Sequence, residues 1–188
     1  QAAYHYFSFQ AIPSPYSAWR TIEKLPAAHY LEWHLDDRSI NVNRYWTPRF
    51  SKVLPCSVSE LPKYVESKLA AAVKRWSMSD VPIACALSGG IDSSAITAIL
   101  SEHQSSPIKT FSLGFPSDPN IDERALARRT AEFFGTEHHE LELDANNIIE
   151  ALDPMLLALD EPYGGGLPSW YVFQQMAQTV KVGVTGTG

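Results

Sequence analysis

After residue 59, segments whose apolar residues recur at helical spacing alternate with segments that have the pattern of strands. Ser59 can cap a first helix, whose apolar stripe would be formed by residues at helical spacing, Leu61, Val65, Leu69, Ala72 and Trp76. The next segment, 81–87, is continuously apolar, which is typical of a strand buried on both faces. A helix is predicted after it, with Ala95, Ile96, Ile99 and Leu100 facing inward.

The same alternation continues to the end of the chain. Strands are predicted at 108–115, 138–143 and 180–185. Helices are predicted at 122–134, stopped by Gly135, and from Pro168 to about Gln178. Between them lies a helical region carrying Ile148, Leu152, Leu156 and Leu159, with an interruption expected at Pro154. This order predicts an α/β fold, a parallel sheet with helices on both faces.

The first 50 residues show a different pattern, rich in aromatic residues and proline. Residues 29–35 and 39–46 alternate around Asp36-Asp37-Arg38, which predicts a β-hairpin. A linker containing Pro55 follows. The sequence therefore predicts two parts, residues 1–50 and residues 51–188.

Composition narrows the class of protein. With 45% hydrophobic and 19% charged residues, the chain is expected to be globular. The net charge of −6 opposes nucleic acid as a partner, and Arg124, Arg128 and Arg129 are interpreted as a solvated helix face. No apolar run reaches the length of a membrane span. Cys56 and Cys85 fit a reduced compartment, so a cytoplasmic location is expected, with Cys85 as a core residue.

The most informative segment is Ser88-Gly89-Gly90-Ile91-Asp92-Ser93-Ser94, called the phosphate loop below. It lies between a predicted buried strand and a helix N-terminus, where free backbone N–H groups and the helix dipole favour an anion. The two glycines allow close backbone approach to a ligand. An ordinary capped turn between strand and helix is the simpler alternative. A phosphate site is favoured because all seven residues, from Ser88 to Ser94, fit a phosphate-binding turn between a strand end and a helix start.

The phosphate loop lacks the cation of a Walker motif, because no Lys or Arg occurs from residue 81 to residue 103. Bound polyphosphate and Asp92 would both be negative. A divalent ion between them resolves this conflict, so Asp92 is predicted to be a Mg²⁺ ligand.

These features resemble a known family. Ser88–Ser94 is similar to the SGGxDSS pyrophosphate loop of the N-type ATP pyrophosphatases. The glutamine-hydrolysing asparagine synthetase family is indicated by the order of further segments, namely 80–87, 111–115, Asp122-Glu123, 135–140, Asp160-Glu161-Pro162 and 185–188. Residues 24–31 and Tyr45-Trp46 are similar to the last strands of that family's glutaminase domain, so residues 1–50 would be its remnant.

The resemblance implies an adenine nucleotide α-hydrolase-like fold and a reaction. A carboxylate such as aspartate would attack the α phosphorus of ATP, and ammonia would then displace AMP. The implied cofactors are ATP and Mg²⁺. The implied ATP-binding residues are Leu87, Ser88, Gly89, Gly90, Asp92, Ser93, Ser94, Leu113, Thr185 and Gly186, with Asp92 also binding the metal. A homodimer is left open.

The chain also departs from the family pattern. Gln1 stands where the glutaminase nucleophile is a cysteine, and ammonia would have to come from a glutaminase domain missing here, so this chain alone is expected to be an inactive fragment. Thr187 occupies the place of an expected acid. Gly164-Gly165-Gly166 falls in the loop that faces the acceptor in the family and offers no side chain to select one. A synthetase with another acceptor (β-lactam-forming or peptide-cyclising) and a non-catalytic nucleotide-binding homologue therefore stay open.

Several other residues have a functional and a structural interpretation. His138 and His139, adjacent on a strand, should point to opposite faces, which disfavours one shared metal. Asp122 and Glu123 are interpreted as helix N-terminal acids, and Glu161 as either a site residue or a loop residue. The aromatic residues of the last helix are interpreted as core, namely Trp170, Tyr171 and Phe173.

Overall fold

The computed structural model describes residues 1–50 and 56–186, which divide into two compact units. The first unit comprises residues 1–55 and 154–165, and the second comprises residues 56–153 and 166–188. In chain order the elements are α1 (Ala2–Phe9), β1 (His29–Trp33), β2 (Ile40–Arg44), α2 (Leu61–Trp76), β3 (Ile83–Ala86), α3 (Ile91–His103), β4 (Lys109–Gly114), α4 (Arg124–Phe134), β5 (Glu137–Glu142), α5 (Ala145–Leu159), α6 (Leu167–Met176) and β6 (Val182–Val184). None of the helices in these ranges is long and apolar enough to cross a membrane.

The first unit contains the predicted hairpin. Strands β1 and β2 pair antiparallel, with Leu31 opposite Val42, so the hairpin prediction is confirmed. Segment 154–165 joins this unit through Glu161, whose carboxylate accepts from Lys24 Nζ at 2.5 Å. The assignment of residues 1–50 to a separate domain stays a prediction.

The second unit contains a four-stranded sheet in the order β5-β4-β3-β6, and every neighbouring pair is parallel. The chain moves outward from β3 to β4 and β5, then returns to place β6 on the other side of β3. The strand order therefore reverses between β3 and β6, and ligands bind open α/β sheets beyond the carboxyl ends of the strands at such a point.

Successive residues of β3 point to opposite faces of the sheet, and helices cover both faces. Ala84 packs in a cluster with Phe111 and with Val172 of α6. Cys85, the next residue, packs on the opposite face with Leu100 of α3. Because side chains alternate across a strand, one short apolar strand supplies two cores. The predicted α/β fold, with a parallel sheet and helices on both faces, is confirmed.

Cys85 is fully buried, and burial raises the pKa of its thiol. The interpretation of Cys85 as a core residue is confirmed. Cys56 is half-buried, and both cysteines are free thiols.

The predicted start and apolar stripe of α2 are wrong. The N-cap is Glu60 rather than Ser59, and the Glu60 carboxylate accepts from the Ser57 amide at 3.0 Å and from its hydroxyl at 2.7 Å. This pairing closes the turn that precedes the helix, and no side-chain hydrogen bond caps the helix itself. The buried residue is Val73, whereas Trp76 of the predicted stripe is 80% exposed.

The interruption predicted at Pro154 is also wrong, because α5 continues through it. Pro154 and Glu150 are both exposed, so the carbonyl that loses its hydrogen-bond donor lies where water can reach it. The buried residues of α5 are Ala151 and Met155, one position before the predicted Leu152 and Leu156.

A buried polar cluster lies between β4 and β5. The Thr110 hydroxyl lies 2.9 Å from His138 Nδ1 and 2.8 Å from the Thr136 hydroxyl, and the Ser112 hydroxyl lies 3.2 Å from His138 Nε2. His139 instead stacks on Phe111 with ring centroids 4.8 Å apart. The two histidines therefore point to opposite faces, as predicted.

Desolvation of the half-buried ring lowers the pKa of His138. The imidazole of His138 therefore binds its proton more readily in the unfolded chain than in the folded protein. The free energy of unfolding is at its full value at neutral pH, and it declines as pH falls through about 6.5 towards the lower pKa of the folded protein. We expect the thermal midpoint to fall more between pH 7.5 and 5.5 in wild type than in His138→Gln. His103→Gln, at the exposed end of α3, is the control and should keep the wild-type slope. Equal slopes in wild type and His138→Gln would contradict the prediction.

Candidate nucleotide site

A crevice of about 470 Å³ opens at the carboxyl ends of the strands in the second unit, where the strand order reverses. Six segments contribute to it: the ends of β3, β4 and β6, the phosphate loop, the connection between β4 and α4, and the first turns of α6. The residues that line it are Ala86, Leu87, Ser88, Gly90, Asp92, Ser93, Phe111, Leu113, Phe115, Ile121, Glu123, Pro168, Ser169, Val172, Phe173, Thr185 and Gly186.

One half of the crevice is apolar. Phe111 and Leu113 of β4 form one side, and Val172 and Phe173 of α6 form another. Phe111 is 3% exposed, so it is fixed in the core that supports the crevice. Apolar walls beside a polar loop suit a ligand with a flat ring at one end and a charged group at the other.

The phosphate loop is shaped by its own serine hydroxyls. Ser93 Oγ accepts from the Ser88 amide at 3.2 Å, lies 3.0 Å from Ser88 Oγ and is 3.2 Å from the Gly90 carbonyl oxygen, to which it can donate. The Gly90 amide donates to Ser88 Oγ at 3.3 Å. Ser93 therefore connects the start of the loop at Ser88 to the turn at Gly90.

Gly89 has a left-handed φ of 80°, which favours glycine. A Cβ added at Gly89 would lie 2.7 Å from Leu126 Cγ and 2.8 Å from the Ala127 amide nitrogen. The phosphate loop thus rests against the first turns of α4, and a side chain at this position would separate the two.

Helix α3 begins within the phosphate loop, at Ile91, with Gly90 as N-cap and without a side-chain cap. Amides in a first helical turn have no intrahelical acceptor. Together with the helix dipole they make the start of α3 an anion-binding surface that faces the crevice.

The charges around the crevice are unusual for a phosphate site. Asp92 and Glu123 are the charged residues among those that line it, and the described lining contains no Lys, Arg or His. Across the described residues, no group of three or more His, Cys, Asp or Glu side chains could hold a metal. A polyphosphate bound here would need a divalent ion whose remaining ligands are phosphate oxygens and water, and Asp92 fits that requirement.

Asp122, Arg124 and Glu142 form an ion-paired group beside the crevice. Hydrogen bonds from Arg124 lower the pKa of Asp122, and those to Asp122 and Glu142 raise the pKa of Arg124. The Asp122 carboxylate also accepts from the backbone N–H of Arg124 at 3.1 Å, so Asp122 acts at the helix start as predicted. The interpretation of the arginines as a solvated face is wrong for Arg124, whose side chain is 19% exposed, while Arg128 pairs with Glu140.

The sequence also matches a family model. The model described as "Asparagine synthase" matches residues 64–188, which include every segment of the crevice. The chain belongs to the asparagine synthase family. The resemblance drawn from the phosphate loop and the segments around it is confirmed.

Relatives in this family are similar along nearly the whole chain. The Methanocaldococcus jannaschii protein named "Putative asparagine synthetase (glutamine-hydrolyzing) 2" is 33% identical, over 97% of this chain and 36% of its own length. Glutamine-hydrolysing asparagine synthetase 1 of Bacillus subtilis is 28% identical, over 100% of this chain and 29% of its own length. The chain thus spans about a third of the length of these curated relatives. Among solved structures, an NH3-dependent NAD synthetase from Campylobacter jejuni aligns with a TM-score of 0.41 and 16% identity, covering 62% of this chain and 49% of that one.

Most of the predicted binding residues lie together at the crevice. Those that line it are Leu87, Ser88, Gly90, Asp92, Ser93, Leu113, Thr185 and Gly186. Gly89 packs on α4 instead, and the Ser94 amide donates to the Gly90 carbonyl oxygen at 3.0 Å inside the helix start. Thr187 lies outside the described residues.

Two predicted loop features have structural partners in the first unit. Glu161 pairs with Lys24. A Cβ on Gly164 would lie 2.9 Å from Gln10 Cβ, so close packing explains one of the three glycines.

Sequence reasoning missed two walls of the crevice. The first wall is formed by three residues that follow β4, namely Phe115, Ile121 and Glu123. Leu113, at the end of β4, was predicted to bind the ligand, and the segment after a strand end also lies at the carboxyl edge of the sheet. The position of Leu113 therefore already indicated this wall. Phe173 was interpreted as core; it is half-buried, packs against the core and also lines the crevice. No local sequence signal separates those two roles.

We expect Asp92→Asn to weaken Mg·ATP binding by about tenfold, or about 1.4 kcal/mol, while adenosine binding stays nearly unchanged. The amide keeps the shape of the side chain but removes the charge that would bind the metal. Calorimetry with both ligands makes the comparison. Equal losses for ATP and adenosine would indicate a folding defect and reject Asp92 as a metal ligand.

Proposed function

We propose that the crevice binds Mg·ATP and supports transfer of AMP to a carboxylate, followed by amide formation with ammonia. The observation that carries the proposal is the phosphate loop, ordered by Ser93 and backed by the open N-terminus of α3, beside an apolar slot. The names of the relatives, glutamine-hydrolysing asparagine synthetases, support the same chemistry.

The polarity of the crevice supports one orientation of the nucleotide. The adenine ring would lie in the apolar half, against Leu113 and Phe173, and the β and γ phosphates at the amides of the phosphate loop. The α phosphate would then lie between them, near Thr185 and Gly186 at the end of β6.

The proposed first step is a displacement at the α phosphorus. An oxygen of the acceptor carboxylate forms a bond to phosphorus, and the bond between the α phosphorus and the oxygen bridging to the β phosphate breaks. Pyrophosphate leaves with its negative charge, which the loop amides and the α3 dipole stabilise. A divalent ion held by Asp92 would offset the charge on the phosphates.

The second step forms the amide. Ammonia attacks the acyl carbon, its nitrogen gives up a proton to water, and the bond from that carbon to the AMP oxygen breaks.

Aspartate is the acceptor that the names of the relatives favour. The glycines at 164–166 offer no side chain to select it, so a different carboxylate is the alternative. Because the chain spans about a third of its relatives' length, the test should use the protein at its full length.

We expect the full-length protein to catalyse exchange of labelled pyrophosphate into ATP when the correct carboxylate is present. Exchange requires the reversible first step and does not need ammonia. A panel with aspartate, glutamate and β-amino acids identifies the acceptor, and reactions without a carboxylate are the control. Formation of ADP and phosphate, with no exchange for any carboxylate, would contradict the proposed function.

A further inference from the structure

Arg124, the first residue of α4, makes a dense set of hydrogen bonds that the proposed chemistry does not use. Its Nε lies 3.0 Å from both carboxylate oxygens of Asp122, and its Nη2 lies 2.6 Å from Oδ2. Its Nη1 lies 2.6 Å from Glu142 Oε1 at the end of β5. We call these three residues the Arg124 clamp.

The clamp also lies directly against the end of β4. A Cβ added at Gly114 would overlap Arg124 Nε, which means that the guanidinium group occupies the space a side chain would need. Gly114 follows Leu113, which lines the crevice. The clamp therefore joins the start of α4 to the end of β5, and its guanidinium group lies against the end of β4.

The segment between β4 and the clamp forms one wall of the crevice, through Phe115, Ile121 and Glu123. Its own hydrogen bonds are local: the Asp118 amide donates to the Phe115 carbonyl oxygen at 2.9 Å, and the Ile121 amide to the Asp118 carbonyl oxygen at 3.2 Å. In the described part of the chain, the clamp is thus the polar connection that ties the far end of this wall to the sheet.

We propose that Arg124 is a positioning residue for the nucleoside half of the ligand, which it serves by holding the wall formed by Phe115, Ile121 and Glu123 against the crevice. This inference rests on the proposed binding of ATP. Arg124 does not line the crevice itself, so its effect passes through the wall.

The phosphate half is held by a different set of contacts. Ala127 and Ala131, on the body of α4, are buried with Leu87, the residue that precedes the phosphate loop. Apolar packing, rather than the clamp, keeps these parts together. Loss of the clamp should therefore loosen the wall and leave the phosphate loop in place.

The test compares Mg·ATP, adenosine and Mg·pyrophosphate by calorimetry on the full-length protein. If loss of the clamp leaves the wall correctly positioned about a tenth of the time, Arg124→Ala should bind ATP and adenosine about tenfold more weakly. Pyrophosphate binding should change less than about twofold. Arg124→Lys should restore only part of the loss, because an ammonium lacks the planar fork that contacts two carboxylates.

Arg128→Ala is the matched control. Arg128 lies one helical turn later and makes a similar two-bond pair with Glu140 of β5, but its side chain is more exposed and neither residue lines the crevice. Its removal should leave all three affinities unchanged.

Two results would overturn the role of Arg124: an unchanged adenosine affinity in Arg124→Ala, or an equal loss for pyrophosphate. A wild-type protein that binds neither Mg·ATP nor Mg·pyrophosphate would instead overturn the proposed function itself.

Discussion

The turn after β3 is confined on two sides by backbone that leaves no room for a side chain. On one side, Gly89 faces Leu126 and the Ala127 amide. On the other, a Cβ added at Gly186 would lie 2.7 Å from the Ser93 amide nitrogen and 3.0 Å from the Asp92 carbonyl carbon. The phosphate loop is therefore held between the start of α4 and the end of β6, and the fixed position of the α3 amides depends on this close packing.

The crevice has an apolar half and a polar half because it lies at the carboxyl ends of the strands. The apolar half is an extension of the core that α6 forms with Ala84 and Phe111. The polar half is the loop that follows β3, where the backbone N–H groups in the first turn of α3 have no acceptor within the helix. Among the described residues the charged side chains that line it are acidic, so a phosphate bound there would be attracted by backbone dipoles, serine hydroxyls and a bound cation. A site of this kind differs in principle from one that uses lysine or arginine.

Features fixed by local sequence could be predicted. The continuous apolar run before Ser88 predicted β3, and the glycine and serine spacing predicted the phosphate loop, since both depend on residues near in sequence. The hairpin was predictable for the same reason.

Features set by tertiary contacts could not be predicted. In α5 the buried residues are Ala151 and Met155, one position before the expected Leu152 and Leu156, and the local apolar pattern does not distinguish these two faces. Arg124 was assigned to solvent because its partner Glu142 lies 18 residues later, at the end of β5. The wall from α6 was missed because helix periodicity does not distinguish a core from the side of a crevice.

The central claim is that this loop binds polyphosphate by backbone amides and a divalent ion, without a basic side chain. The most direct measurement is ATP affinity by calorimetry with Mg²⁺ and with EDTA, beside adenosine under both conditions. The account predicts that removing the metal weakens ATP binding strongly, by at least about tenfold, or about 1.4 kcal/mol, while adenosine binding is unaffected. ATP binding that stays equally tight in EDTA would contradict it.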